Sequence, residues 1–326
     1  MPTRIRRGSR VISRPFASSA DLSEQRSTLE ELAPDVYAYT AEGDPNVGAV
    51  IGPDSVLAID ARATPTAARE WLDELRRITH KPVEYLVLTH YHAVRVLGAS
   101  AFGAAQTVVH ATTRRWIHER GAADFESEAR RFPRLFGDID SIPGLTFPNV
   151  AYADSLQILL GDREVEVRYL GGGHTEGDSV VWLPQERVLF AGDLVEARAA
   201  PYMGDASIAE WSTSTLDRLE ALEAETLVPG RGPALTGGAV GEAVRETREY
   251  LSTLWRTVEP VRRRGGTLKE AFDAAEATLR PRFGDWWIFD HCLPFNVARG
   301  WDEAGGSRAQ IWTAEKDAAV WTELYG

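Results

Sequence analysis

Three apolar runs of this chain lead directly into residues able to bind a metal. VEYLVLTH delivers His90, with His92 two positions on; EVEVRYLGGG leads into His174; RVLFAGD stops at Asp193. Residues two apart on an extended segment project the same way, so His90 and His92 can reach one point. The glycines before His174 permit a close backbone approach at that strand end. A fold that brought these ends together would assemble three imidazoles and one carboxylate, a set suited to Zn²⁺ or Fe²⁺. Each residue alone has a plainer use: a strand-end histidine bonds its own loop, and an aspartate caps a turn. Their number and shared setting carry the metal reading.

The surrounding pattern limits the architecture. Strands VYAYT, NVGAVIG and SVLAID are separated by turn formers, and Thr66–Thr79 repeats its apolar residues at helical spacing. A short helix is expected over 96–105, a strand at TVVHA, and a charged helix with a loop over 112–137. The second half repeats the plan, with strands SLQILLG, EVEVRYL, SVVWLP and RVLFAGD, a helix over 208–223, and the strand TLVPG. Helices over 239–264 and 267–280 precede a Trp-rich tail. The interior strands lie too close together for a helix at every crossover, so a four-layer α/β/β/α sandwich is expected, not a doubly wound sheet. The division expected is a basic arm over 1–30, a core over 31–238 and a helical extension over 239–326.

Composition removes several functions. Lys and Arg total 36 against 48 Asp and Glu, a net charge of −12. So acidic a chain repels phosphate backbones, which argues against nucleic acid as partner. No apolar run reaches membrane-spanning length, so no membrane partner is expected. The single cysteine, Cys292, rules out an internal disulfide, and a cytoplasmic location is expected. Residues 1–20 carry Arg4, Arg6, Arg7, Arg10 and Arg14 without the apolar core of a signal peptide, and read as a flexible arm, compatible with lying across a partner subunit in a homodimer.

Over roughly residues 35–235 the order of motifs resembles the metallo-β-lactamase-fold superfamily. Asp60 in VLAIDAR matches its first motif, an acid that buttresses the metal-binding loop. THYHAVRVLG stands in place of His-X-His-X-Asp-His, GGGHTEGD matches the third motif, FAGD the fourth, and VPGRGP the fifth, which normally reads Gly-His-Gly. The resemblance implies a first metal held by His90, His92, His174 and Asp193, all intact. The positions implied for a second metal hold Val94, Arg95 and Arg231, which cannot ligate it.

All three losses fall on one ligand set, which reads as remodelling, not decay. The expectation is a mononuclear metallohydrolase with one Zn²⁺ per chain, in which Asp60 and Asp193 serve catalysis. The substrate expected is a small, anionic ester, lactone, thioester or amide. Arg95 and Arg231 should fill the second metal's volume, one compensating Asp193 and the other free for the substrate's anion; Tyr202 is a further candidate substrate contact. The alternatives are a mononuclear Fe²⁺ dioxygenase resembling persulfide dioxygenases, using His90, His174 and Asp193, and a metal-free member of the fold. His291 and Cys292 read mainly as packing residues in the tail.

Overall fold

The computed structural model describes residues 14–23 and 25–326. Strands β1 (Thr28–Ala33), β2 (Val36–Thr40), β3 (Val47–Ile51) and β4 (Val56–Ile59) form an antiparallel meander. Helix α1 (Pro65–Arg76) then returns the chain so that β5 (Val83–Val87) lies parallel to β4. Its start is set locally: Thr64 accepts a hydrogen bond from the Ala67 N–H, and Pro65 occupies the first turn. Its buried stripe is Ala68, Trp71, Leu72 and Leu75, the spacing of one helical face. Helix α2 (Ala93–Val96) and a 3₁₀ turn lead to β6 (Gln106–His110), and α3 (Ala111–Arg131) leads to β7 (Val150–Tyr152), both parallel additions to the same sheet.

The second sheet contains β8 (Ser155–Leu160), β9 (Arg163–Tyr169), β10 (Ser179–Leu183) and β11 (Val188–Gly192), again a meander. The chain then crosses through α4 (Ile208–Glu210), a π turn over 211–215 and α5 (Leu216–Glu220) to β12 (Thr226–Pro229), parallel to β11. Strand β13 (Leu235–Thr236) closes the edge. Helices α6 (Gly238–Arg263), α7 (Leu268–Phe283), α8 (Phe289–Ala304) and α9 (Ala314–Tyr325) follow.

Three apolar clusters define the layers. Leu57, Ile59 and Val87 of the first sheet meet Val165, Val181 and Phe190 of the second. Trp71, Leu72 and Leu75 of α1 cover the outer face of the first sheet with Ala58 and Leu86. Leu189 and Leu227 on the other outer face share a cluster with residues of α6 to α9. This is the expected four-layer α/β/β/α sandwich, with additional C-terminal helices.

Several boundaries differ from the sequence reading. The arm does not extend to residue 30, because β1 already pairs with β2 from Thr28. Within 14–20, Phe16 is buried with its ring 5.2 Å from Trp321, and the Trp321 indole donates to the Arg14 carbonyl at 2.8 Å. That stretch therefore packs on the chain's own C-terminal helices; residues 1–13 of the arm lie outside the described residues. The helix expected over 96–105 begins earlier, at Ala93, and the one over 208–223 is interrupted by the π turn.

Candidate metal centre

Most candidate residues sit in the loops beyond strands, while Arg95 lies in α2 and Tyr202 in the loop before α4. Asp60 follows β4, the His90–His92 segment follows β5, His174 lies in the loop after β9, Asp193 follows β11 and Arg231 follows β12. Because β5 stops at Val87, the two histidines come from the loop beyond it, with His92 as the extended N-cap residue of α2. The ligating nitrogens of His90, His92 and His174 lie within 4.8 Å of one another, and all three side chains are buried.

The second nitrogen of each ring fixes where the first points. His174 Nδ1 faces the Tyr202 carbonyl at 2.7 Å, which can only accept, so Nδ1 carries the proton and Nε2 is bare. His92 Nε2 faces the Asp205 carboxylate at 3.1 Å, which leaves Nδ1 directed at His174 Nε2 only 2.9 Å away. His90 Nδ1 lies 3.1 Å from the Thr89 hydroxyl, which itself donates to Asp60 Oδ2 at 2.9 Å; His90 Nε2 is buried with no hydrogen-bond partner. Three ring nitrogens thus converge, and each acceptor behind them is of the kind that orients metal-binding histidines. His90 Nε2 and His174 Nε2 carry lone pairs, and His92 Nδ1, which donates to His174 Nε2 at 2.9 Å, offers a third on giving up its proton, so the donor set fits a metal.

Charge around the rings agrees. Burial pushes His90 well below the ordinary histidine value and His174 down to about 4, keeping both neutral. Burial would lower His92 too, but Asp205 and Asp124 outweigh it and raise the ring to about 10. That negative field also favours a divalent cation at Nδ1.

Asp60 holds the loop from behind. It adopts φ 59°, a left-handed conformation unusual outside glycine, and accepts the Thr89 N–H at 2.8 Å as well as the Thr89 hydroxyl. Asp193 Oδ2 lies 3.8 Å from His90 Nε2 and 3.5 Å from His174 Nε2, beside the histidine group but not within it. Gly230 leaves room for this carboxylate: a Cβ there would lie 2.4 Å from Asp193 Oδ1.

The arginines correct one expectation. Arg95 Nη2 bonds Asp193 Oδ1 and the Gly230 carbonyl, and its Nη1 bonds the Asn46 carbonyl at 2.6 Å and approaches Asp60 at 3.4 Å. Arg231 Nη1 lies 3.3 Å from Asp193 Oδ2 and 3.0 Å from Glu196. Both guanidinium groups therefore compensate Asp193, and both are buried. Burial alone would raise the Asp193 carboxyl, yet Arg95, His90 and Arg231 together hold it well below the usual range.

Tyr202 presents its ring to His92 and His174, at 5.9 and 6.2 Å between centroids, while its buried hydroxyl has no hydrogen-bond partner. His291 stays outside the histidine group, with Nε2 3.0 Å from Arg131 and its ring packed on Phe132. Cys292 is buried beside the Ala200 carbonyl. The sequence reading missed Asp205 and Glu196, and also Asp124 and Glu128. The last two reach from α3 to accept the Ala93 and Val94 N–H groups at 2.6 and 2.9 Å, fixing the turn after His92.

Fold and site together define a metal-dependent hydrolase. Residues 40–231 match the family described as the metallo-beta-lactamase superfamily, and the chain belongs to it. A "Metallo-beta-lactamase type 2" of Bacillus sp. (strain 170) is 28% identical over 216 residues, 63% of this chain and 76% of that protein. A "Linear primary-alkylsulfatase" of a Pseudomonas species is 22% identical over 232 residues, 61% of this chain and 44% of that protein. Among solved structures, a metallo-beta-lactamase from Pontibacter korlensis superposes with a TM-score of 0.57 at 22% identity, covering 70% of this chain and 99% of its own.

Proposed function

We propose that the protein is a mononuclear zinc hydrolase acting on a small ester, lactone, thioester or amide. The observation that carries this is the convergence of three buried imidazole nitrogens beside an Asp193 already neutralised by two arginines. His90 through Nε2, His92 through Nδ1 and His174 through Nε2 would hold the metal; three protein ligands with an open position is the usual catalytic zinc arrangement. When bound, the ion supplies Lewis-acid activation of water and of the electrophilic carbonyl.

The chain's own residues do the positioning. Thr89, relayed to Asp60, holds the His90 ring; Asp205 holds His92; the Tyr202 carbonyl holds His174. Asp193, kept ionised by Arg95 and Arg231, presents a fixed negative charge on the side of His90 and His174. A bound water there would meet an acceptor for its proton without a second metal. The preference for an anionic substrate loses its basis, since both arginines are spent on Asp193.

The iron dioxygenase reading draws less support. It needs Asp193 as one of three ligands, while two guanidinium groups hold that carboxylate and a third imidazole stands ready. The test is metal content of the purified chain by mass spectrometry, with hydrolysis of activated esters, lactones, thioesters and amides before and after chelation. One zinc per chain and chelator-sensitive turnover are expected. Iron with oxygen uptake, or a chain that takes up no metal, would overturn the reading.

A further inference from the structure

Between β11 and α4 the chain passes the histidine group as a short strap, Pro201–Ala206, and most of its carbonyl groups are used. On the inner side the Tyr202 carbonyl takes the His174 Nδ1 proton, and the Asp205 carboxylate holds His92 Nε2 at 3.1 Å and the Tyr91 hydroxyl at 2.5 Å. On the outer side the partners all come from the C-terminal segment. Asn296 of α8 accepts the Met203 N–H at 2.7 Å and donates to the Pro201 carbonyl at 2.8 Å. Arg299, one helical turn on, donates through Nε to the Ala206 carbonyl at 2.7 Å, and the Trp312 indole donates to the Gly204 carbonyl. Arg299 is itself fixed by Glu303 at 3.0 Å, and Glu303 accepts the Ile208 and Ala209 N–H groups where α4 begins.

We infer that Asn296 and Arg299 are positioning residues of the metal centre, acting through the strap. Asn296 is fully buried and Arg299 nearly so, and both are joined to the strap through directional hydrogen bonds. A buried amide that both donates and accepts fixes the direction of the backbone it grips, which apolar packing cannot do. The strap carries the groups that set which nitrogens of His92 and His174 turn toward each other. The C-terminal helices, remote in sequence from the strands that lead to the ligands, thereby set the orientation of two of the three imidazoles.

The inference rests on the metal reading above, and its test keeps the two apart. Zinc affinity of the full chain is measured by competition with a chromophoric chelator for wild type, Asn296→Ala, Arg299→Lys, Asp205→Asn and the double variant Asn296→Ala/Asp205→Asn. Lys269→Ala, which removes an exposed pair with Asp273 on α7 and does not touch the strap, is the control. Loss of a hydrogen-bonded partner behind a ligand weakens metal binding about 10–100-fold. We expect that range for Asn296→Ala and a smaller loss for Arg299→Lys, with wild-type affinity in Lys269→Ala. The double variant should lose less than the product of the two single losses, because the amide acts partly through that carboxylate and partly through the Tyr202 carbonyl behind His174. Should Asn296→Ala fail to melt cooperatively, Arg299→Lys carries the comparison. Wild-type affinity in the strap variants, or losses that multiply in the double variant, would overturn the inference; absence of zinc binding by the wild type would overturn the metal reading itself.

Discussion

Arg95 and Asp193 form a direct buried ion pair, with Arg231 on the opposite carboxylate oxygen. The charge that a second cation would bring is thus supplied by side chains of the protein. We expect one zinc per chain at saturation in excess Zn²⁺, measured by mass spectrometry after gel filtration. Two tightly held ions would contradict the geometry.

Arg95→Met leaves a buried carboxylate short of one partner. Breaking a buried pair from one side costs about 3–5 kcal/mol, and the lower end applies because Arg231 keeps the other oxygen. Urea unfolding would register this as a lower midpoint with an unchanged slope.

His92→Ala and His174→Ala should each lose the metal and the activity while keeping the fold, since the strands that carry them are held by their own apolar faces. Circular dichroism and metal content, taken on the same sample, test both halves of the statement.

Asp60→Asn should weaken zinc binding by about 10–100-fold without removing a ligand. Asparagine tolerates the left-handed backbone at this position, so the effect isolates the carboxylate behind Thr89 and His90. A chelator titration equal to wild type would reduce Asp60 to a strand-end acid.

Asp178 offers a pH test on the loop that carries His174. It accepts the Thr175 N–H and hydroxyl, both at 2.8 Å, yet burial pushes its carboxyl up to about 8. Unfolded, it titrates near about 4. Between those values the native state holds more protons, so its contribution to stability falls as pH rises from about 4 to about 8. Asp178→Asn should flatten the pH dependence of the urea midpoint over that window.

The legible parts of the molecule share a physical signature. His90, His174 and Asp193 could be found because each closes an apolar run, and the strands themselves carry period-two or fully buried patterns. Asp205 follows no strand and sits in a loop whose only local signal is a Gly-Asp pair; its role exists only once α8 has placed it. Helix α8 was hidden for a related reason. It is buried on nearly all sides and contains Pro294, so no polar face marks its period. β1 was missed because none of its residues is fully buried, leaving no alternation to read.

The Arg95 pairing also bears on how this chain can change over generations. A histidine restored at position 95 would leave the Asn46 and Gly230 carbonyls without their donor and Asp193 with half its compensation, while Arg231 still filled the space of a second ion. A histidine at 231 alone would strand Glu196 in the same way. Each single step back is disfavoured before any benefit of a second metal could be felt. A chain that holds both arginines is thus separated from a histidine at either position by single substitutions that each cost stability first.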